Sequence, residues 1–517
     1  MLLPLLAPVL LAGAAFLCFR GPMPRTGWRV RVPEAAALGA LLVALASAVV
    51  LIDEGPRTSA LIGLAGVGLS ARVDAVSVTM LVLVAFVGWI VTRFAATYAD
   101  GEPRQGAFLG GLCLALAAVL LLVQSGNLWQ LLAAWIATGA ALRRLLLFYP
   151  ERVGAQRAAR KKLVSVVAGA VAVTLACALL ARAYDTADIG RILAMARIGV
   201  APPEAIAATL LLALAAILKS AQFPFHGWLT EVMEAPTPVS ALLHAGVVNA
   251  GGFLLIRFAD VMLHAPGVLA VLVMVGGFSA LFGGLVMLTQ PAVKTSLAWS
   301  TLAQMGFMTM QCGLALFPLA LLHIVAHSLY KAHAFLASGG AVQQVASIRR
   351  PGPVAVPGGP AVLRAFAIAL GIYAVVGLLF GIWAKSPQAV ALGAILVLGV
   401  AYLVAQGLAD AAPRALTRRT ALASLAVTVG YFAFQAVAEA LTLGTLPPTP
   451  PPGPLEWALI VLAIASFGLV AVAQATFPLW AGHPAAAGLR VHLANGLYVN
   501  ALTDRLLGGW STRRTPT

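Results

Sequence analysis

About fifteen mostly apolar stretches follow one another along this chain, each close to the ~20 residues that a helix needs to cross a bilayer. They lie near 2–19, 34–52, 73–94, 106–124, 127–148, 162–182, 204–223, 237–257, 267–289, 294–313, 315–341, 362–384, 386–408, 419–440 and 455–477. Such segments have little choice of structure. Hydrocarbon offers no water to backbone N–H and C=O groups, so each segment must close its hydrogen bonds within a helix, and an open sheet is excluded. Hydrophobic residues make up 61% of the chain and charged ones 10%, whereas soluble domains carry roughly a quarter charged residues. The expected fold is an all-α polytopic membrane protein. Residues 1–480 should form one transmembrane domain with short loops, and residues 481–517 a cytoplasmic tail.

The first segment has no basic stretch before it and is followed by Arg20, Arg25, Arg29 and Arg31, which predicts a retained anchor with an extracytoplasmic N-terminus. Alternating from there, loops 20–33, 143–162, 345–364 and 412–419 and the C-terminal tail fall on the cytoplasmic side. Loops 53–72, 183–203 and 447–454 fall on the other. Basic residues gather in the first set: 143–162 alone holds Arg143, Arg144, Arg152, Arg157, Arg160, Lys161 and Lys162. Positive-inside bias therefore accounts for the formal charge of +16, and no nucleic-acid partner is expected. Cys18, Cys113, Cys177 and Cys312 all lie in apolar segments without a Cys-x-x-Cys pair. That pattern predicts no disulfide framework, no iron–sulfur cluster and no cofactor.

Ionisable residues within the apolar segments are the candidate functional groups, because each costs about 2.5–3.5 kcal/mol to insert at a helix centre and normally faces a bundle interior or a wet cavity. Lys219 is followed within five residues by Pro224, which breaks the helix and frees backbone carbonyls. Glu231 and Glu234 come next, before Pro236 and Pro238 reopen a helix; a carboxylate close to Lys219 would hold it charged, the alternative being an interfacial acid cluster. Asp74 beside Arg72 is either a helix-start acid or half of an ion pair. His244 sits in the eighth segment, Lys294 opens the tenth, and the eleventh carries His323, His327, Lys331 and His333. Spacing of i, i+4, i+8 puts His323, His327 and Lys331 on one stripe over about 12 Å of helix. One such histidine alone would read as a satisfied core residue. Three titratable groups on one apolar stripe read as a proton relay, since each adds its own insertion cost. His323-x-x-x-His327 has zinc-ligand spacing, but no cysteine or carboxylate nearby completes a shell.

Phe223 through Ala245, FPFHGWLTEVMEAPTPVSALLHA, resembles the signature of the proton-translocating subunits of respiratory complex I and Mrp-type antiporters. The segments VKTSLAWSTLAQMGFM at 293–308 and LLHIVAHSLYKAHAFLASG at 321–339 resemble the same family's tenth and eleventh spans, and the match runs from about residue 72 to 340. The resemblance implies two inverted five-helix repeats with broken helices, and a proton relay through Lys219, Glu234, His244, Lys294, His323, His327 and Lys331. One departure stands out: the family's fifth span carries a Trp-Glu pair, whereas here Trp135 is followed by Ile136. Lys385 lacks the family's usual context in the twelfth span. HAGVVNAGGFLLIRFAD at 244–260, RRLLLFYPER at 143–152, DGEPRQGAF at 100–108 and RVHLANGLYVNALTDRLLGGW at 490–510 resemble the DabB family of inorganic-carbon transporter subunits. That resemblance implies a bacterial inner-membrane, non-enzymatic subunit that conducts protons, or sodium, and works with a DabA-like zinc-binding subunit on the cytoplasmic face.

The rival readings are a subunit of a complex I-like oxidoreductase or Mrp antiporter, and a stand-alone solute carrier. The carrier would need convergent polar groups around a pocket, where this chain places them lengthwise. The tail from Arg490 to Trp510 could be an amphipathic helix for docking the partner or one lying on the lipid surface. The arginine asymmetry sets the expected topology. Reporter fusions after Arg160 and after Arg514 should score as cytoplasmic and one near Pro450 as extracytoplasmic; a cytoplasmic Pro450 would shift the helix count by an odd number.

Overall fold

The computed structural model describes residues 2–20, 28–64, 66–232, 235–340, 358–407 and 414–507. Each of the fifteen apolar segments contains helix. In chain order the helices are α1 (Leu6–Phe19), α2 (Trp28–Glu54), α3 (Ala75–Tyr98), α4 (Gln105–Val123), α5 (Leu128–Leu146), α6 (Val153–Tyr184), α7 (Ile189–Ile198), α8 (Pro203–Lys219), α9 (Gly227–Thr230), α10 (Thr237–Ala245), α11 (Ala250–Arg257), α12 (Ala259–Met262), α13 (Pro266–Met287), α14 (Val293–Gly313) and α15 (Phe317–Ala337). They continue with α16 (Gly359–Leu379), α17 (Pro387–Gly407), α18 (Arg414–Thr442), α19 (Pro454–Ala475), α20 (Phe477–Trp480), α21 (Pro484–Ala494) and α22 (Val499–Leu506). The count of fifteen spans needs qualification: among the described residues ten helical stretches are long and apolar enough to cross a membrane, and an eleventh is α7 with α8, bent by 118° between them. Of the other four segments, two give shorter apolar helices, Leu3–Phe19 and, within α17, Pro387–Gly399, and α5 and α14 fall below spanning hydropathy because they carry Gln130, Thr138, Arg143 and Arg144, and Lys294, Thr301, Thr309 and Gln311.

Two short antiparallel hairpins, Arg57–Thr58 with Arg72–Val73 and Ile62–Leu64 with Val67–Leu69, cover one end of the bundle between α2 and α3. The same end gathers α7 and the loop after α18. Asn127 bridges to Asp188, Arg197 donates to the Gly444 and Thr445 carbonyls, and Thr449 donates to the Ala315 carbonyl. At the opposite end the Arg144 guanidinium lies over the Phe19 ring. Among the described residues, loops 53–72, 183–203 and 447–454 thus share one end, and most of loops 345–364 and 412–419 lies outside the described residues. α6 starts earlier than expected, at Val153, so Lys161 and Lys162 lie inside a helix and are buried.

Close backbone approach ties α13 to α14. A Cβ on Gly276 would come within 2.6 Å of the Gly306 carbonyl, and one on Gly306 within 2.6 Å of the Gly276 carbonyl; small residues at this crossing allow the dispersion contact that holds helices together where lipid offers no hydrophobic drive. One buried ion cluster ties the helix starts to the helix ends. Asp74 caps α3 by accepting from the Ser77 amide at 2.8 Å, and its carboxylate also accepts from Arg257 Nη1 and Arg72 Nε, each at 2.6 Å. Arg257 further donates to Ser77 Oγ. Both ends of this pair are fully buried, so the ion-pair reading of Asp74 holds and its decisive partner is Arg257, from α11. Removing one member of such a pair costs about 3–5 kcal/mol. Arg257→Ala should therefore lower the thermal midpoint of the detergent-solubilised protein sharply, while the apolar double replacement Asp74→Ala/Arg257→Met should lose less than the sum of the two single changes.

Candidate functional site

Two helix terminations build the core of the site. α8 ends at Lys219 with Ala221 in the left-handed region at φ 53° and the Gln222 amide bonded back to the Ile217 carbonyl at 3.0 Å. α14 ends in the same way, with Ala315 at φ 58° and the Leu316 amide on the Gln311 carbonyl at 2.9 Å. Both are Schellman closures with alanine where glycine is usual. The eighth span is split too: α10 ends at Ala245, and Gly246 to Asn249 turn before α11. The negative ends of three helices are thereby set inside the protein, with Lys219, His244 and Arg257 in their last turns.

Lys219 is buried with its ammonium 4.5 Å from the centre of the Trp135 ring. It lines a small cavity with Lys162, Ser165 and Gly169, and Lys162 Nζ lies 3.1 Å from the Trp228 ring centre. Neither ammonium has a carboxylate partner among the described residues. Glu231, expected beside Lys219, instead accepts from Lys161 Nζ at 2.7 Å, because Lys161 and Lys162 are neighbours on α6 and point about 100° apart. Glu234 lies outside the described residues. Ile136 is 45% exposed, so an acid there would face away from Lys219; Trp135 faces it instead.

The second group is strung along α14, α10 and α15. Lys294 donates to Thr237 Oγ1 at 2.9 Å. Lys331, fully buried, donates to the Leu297 carbonyl at 3.0 Å, as does Thr301 Oγ1. With its one hydrogen spent there, the Thr301 hydroxyl must accept from His244 Nδ1, 3.0 Å away. His327 Nε2 is 3.2 Å from the His244 carbonyl oxygen, which can only accept, so that nitrogen carries the proton. His244 Nε2 and His327 Nδ1 remain as buried nitrogens with no partner among the described residues, and so does His323 Nε2. The His323 and His327 rings stand 6.2 Å apart, above an apolar pocket that Phe307, Gln311, Tyr431 and Phe434 also line. The expected stripe is thus one face of α15, while His333 points outward and is exposed. From Lys294 to Gln311 the line follows about 25 Å of helix, close to the hydrocarbon thickness.

The two groups are joined across α10. Ser220 Oγ donates to the Val248 carbonyl at 3.0 Å, and Asn249 Nδ2 donates to the Ala245 carbonyl and to Ser328 Oγ, one residue beyond His327. Lys161, Lys162, Thr237, Thr301 and Asn249 escaped sequence reading. The scarcity of lysine, six residues against 27 arginines, was the available signal for the first two. Lys385, at the periphery, pairs with Glu439 at 2.6 Å. Among the described residues no group of three or more histidine, cysteine or acidic side chains is placed to hold a metal ion.

Residues 125–352 match the family model for the transmembrane region of NADH:quinone oxidoreductase and Mrp antiporter subunits, and residues 62–109 that for the N-terminus of complex I chain 5. A probable inorganic carbon transporter subunit, DabB2 of Halothiobacillus neapolitanus, is 37% identical over 92% of this chain and 88% of its own length. The chain belongs to the DabB family. A second relative from the same organism, DabB1, is 42% identical over 60% of this chain and 56% of its own. The complex I chain 5 of Metridium senile is 34% identical over 53% of this chain and 46% of its own. Among solved structures, a chain of the Mrp complex from Dietzia sp. DQ12-45-1b superposes with a TM-score of 0.65 over 99% of this chain and 60% of that one at 23% identity. A chain of Thermus thermophilus respiratory complex I does so with a TM-score of 0.57 over 96% and 99% at 20% identity. At those identities the superpositions establish the antiporter-like fold. The protein is an integral membrane subunit of an ion-translocating family whose members work in multi-subunit complexes.

Proposed function

We propose that this chain conducts protons, with sodium as the alternative ion, and couples their flow to the accumulation of inorganic carbon by a zinc-containing, DabA-like partner. One observation carries the conduction half. Titratable and hydroxyl side chains run from Lys294 and Thr237 through Lys331, Thr301, His244 and His327 to His323, and among the described residues no carboxylate pairs with them. A lysine held by a carbonyl or a ring face can give up its proton, which an arginine in its place could not. The line through Lys162, Lys219, Ser220 and Asn249 gives it a second mouth. Lys162 joins the residues picked from sequence, and Glu231 acts at that mouth on Lys161.

The coupling half is supported by likeness to DabB2 over nearly the whole chain. Hydration of carbon dioxide would be the partner's chemistry, and this subunit would supply the ion gradient's energy. In this reading the protein sits in a bacterial inner membrane, N-terminus outside, with the end bearing Arg144, Lys161 and the tail facing the cytoplasm.

The test is growth in air of a carbonic-anhydrase-deficient host that expresses this chain with a DabA-like subunit from the same gene cluster. Growth that needs both chains and disappears with a protonophore supports the proposal. Co-purification with antiporter-like subunits and rescue of sodium or alkaline stress would move the chain to the antiporter reading. In the growing strain, Lys219→Met and Lys219→Arg should each reduce growth to the level of the empty host while folded protein stays in the membrane. A fully active Lys219→Arg would show that only fixed charge is needed and would rule out proton release at this position.

A further inference from the structure

The tail from Arg490 to Trp510 was expected to dock a partner or lie on lipid; in its described part, α21 and α22 contact this chain's own helices. α21 reaches Gln290, which donates to the Ala494 carbonyl, and Gly496 packs against the Trp299 ring. α22 then lies over the mouth at α6 and α9. Lys161 Nζ, whose side chain is 3% exposed, contacts three oxygens: Glu231 Oε1 at 2.7 Å, Asp504 Oδ1 at 3.0 Å and the Asn500 carbonyl at 3.3 Å. Asn500 Nδ2 also donates to Thr230 Oγ1 at 3.2 Å, fastening the tail to α9. Gly227 is where the tail sits closest, since a Cβ there would fall 2.4 Å from Asn500 Oδ1.

Two of the ammonium's three hydrogens go to Glu231 and to the Asn500 carbonyl, and the Asp504 carboxylate pairs with its charge, so two of the three contacts come from the tail. These contacts hold Lys161 against the tail, beside Lys162 on α6, whose side chain lines the cavity with Lys219. Glu231 Oε2 and Asn500 Oδ1 are buried acceptors with no partner among the described residues, so α22 brings both a charge and a free acceptor to the mouth. We propose that the C-terminal helix is a working part of the ion path: Asp504 and Asn500 position Lys161 and close the mouth, so that ions reach Lys162 and Lys219 only past the tail. Asp504 thus supplies from the far end of the chain an acid near a lysine entrance that lacks one on the fifth span. The inference rests on the reading of the Lys162–Lys219 line as an ion path.

The test uses the full chain co-expressed with its DabA-like partner and carrying Ser165→Cys, a residue lining the Lys162 and Lys219 cavity, against the four native cysteines, all buried. A water-soluble maleimide applied to the complex in lipid nanodiscs should label Cys at 165 slowly, and Asp504→Asn should speed labelling on the order of tenfold, the equivalent of one lost ion pair. Asp504→Asn should also cut partner-dependent growth, Asp504→Glu should restore it, and the swap Lys161→Asp/Asp504→Lys should recover part of it. Wild-type labelling as fast as that of an exposed control such as Gly199→Cys overturns the inference and needs no change in the tail. So does Asp504→Asn with unchanged labelling and growth. If Asp504→Asn fails to accumulate, the swap decides: protein restored without growth rejects the positioning role, and both restored supports it. Lys219→Met that still grows removes the ion-path reading itself, whatever the labelling shows.

Discussion

Lysines buried without acid partners among the described residues are the constraint around which this protein is arranged. Lys162 and Lys219 rest on the Trp228 and Trp135 rings, and Lys331 on the Leu297 carbonyl. Ring faces and single carbonyls attract an ammonium but do not neutralise it, so a further source of negative potential is needed for the charged form to persist. The helix breaks supply it. α8, α10 and α11 each end deep in the protein with a cationic or titratable side chain in the last turn, where the unsatisfied carbonyls carry partial negative charge. A dipole end holds a cation less tightly than a carboxylate does, and its hold depends on small movements of the broken segment.

Arginine is used where charge must stay. Arg257 and Arg72 share Asp74, with Ser77 completing the set, and this cluster ties the start of α3 to the end of α11. Among the described residues only Lys161, at the mouth, has carboxylate partners among the path lysines, and one of those comes from the tail. Fixed pairs thus frame the route and labile groups line it.

Irregular backbone in a bilayer is tolerated only inside protein or beside a wet cavity, and this chain follows that rule closely. Ala221 and Ala315 hold left-handed conformations that a side chain with Cβ adopts at a cost, and both are buried. Their closures put the Ile217 and Gln311 carbonyls to use, while the Gly246–Asn249 turn contributes the Val248 carbonyl and the Asn249 amide that bridge the two polar groups. The small residues of α13 and α14 let those helices meet at backbone distance, which keeps Lys294, Leu297, Thr301 and Gln311 in one fixed row.

The sequence by itself determined that the apolar segments are helical, because backbone satisfaction leaves them only the helix, and it determined the His323, His327 and Lys331 stripe, because helical periodicity is local. That loops 53–72, 183–203 and 447–454 share one end was legible because alternation is counted helix by helix. What only tertiary structure decided is who faces whom. Glu231 was near Lys219 in sequence but turns to Lys161; Asp74 was read beside Arg72 while its buried partner came from 183 residues away; and the tail, amphipathic by pattern, found its polar partners on α6 and α9 rather than in water. These pairings depend on rotation of one helix against another and on contacts across hundreds of residues, which no local periodicity encodes.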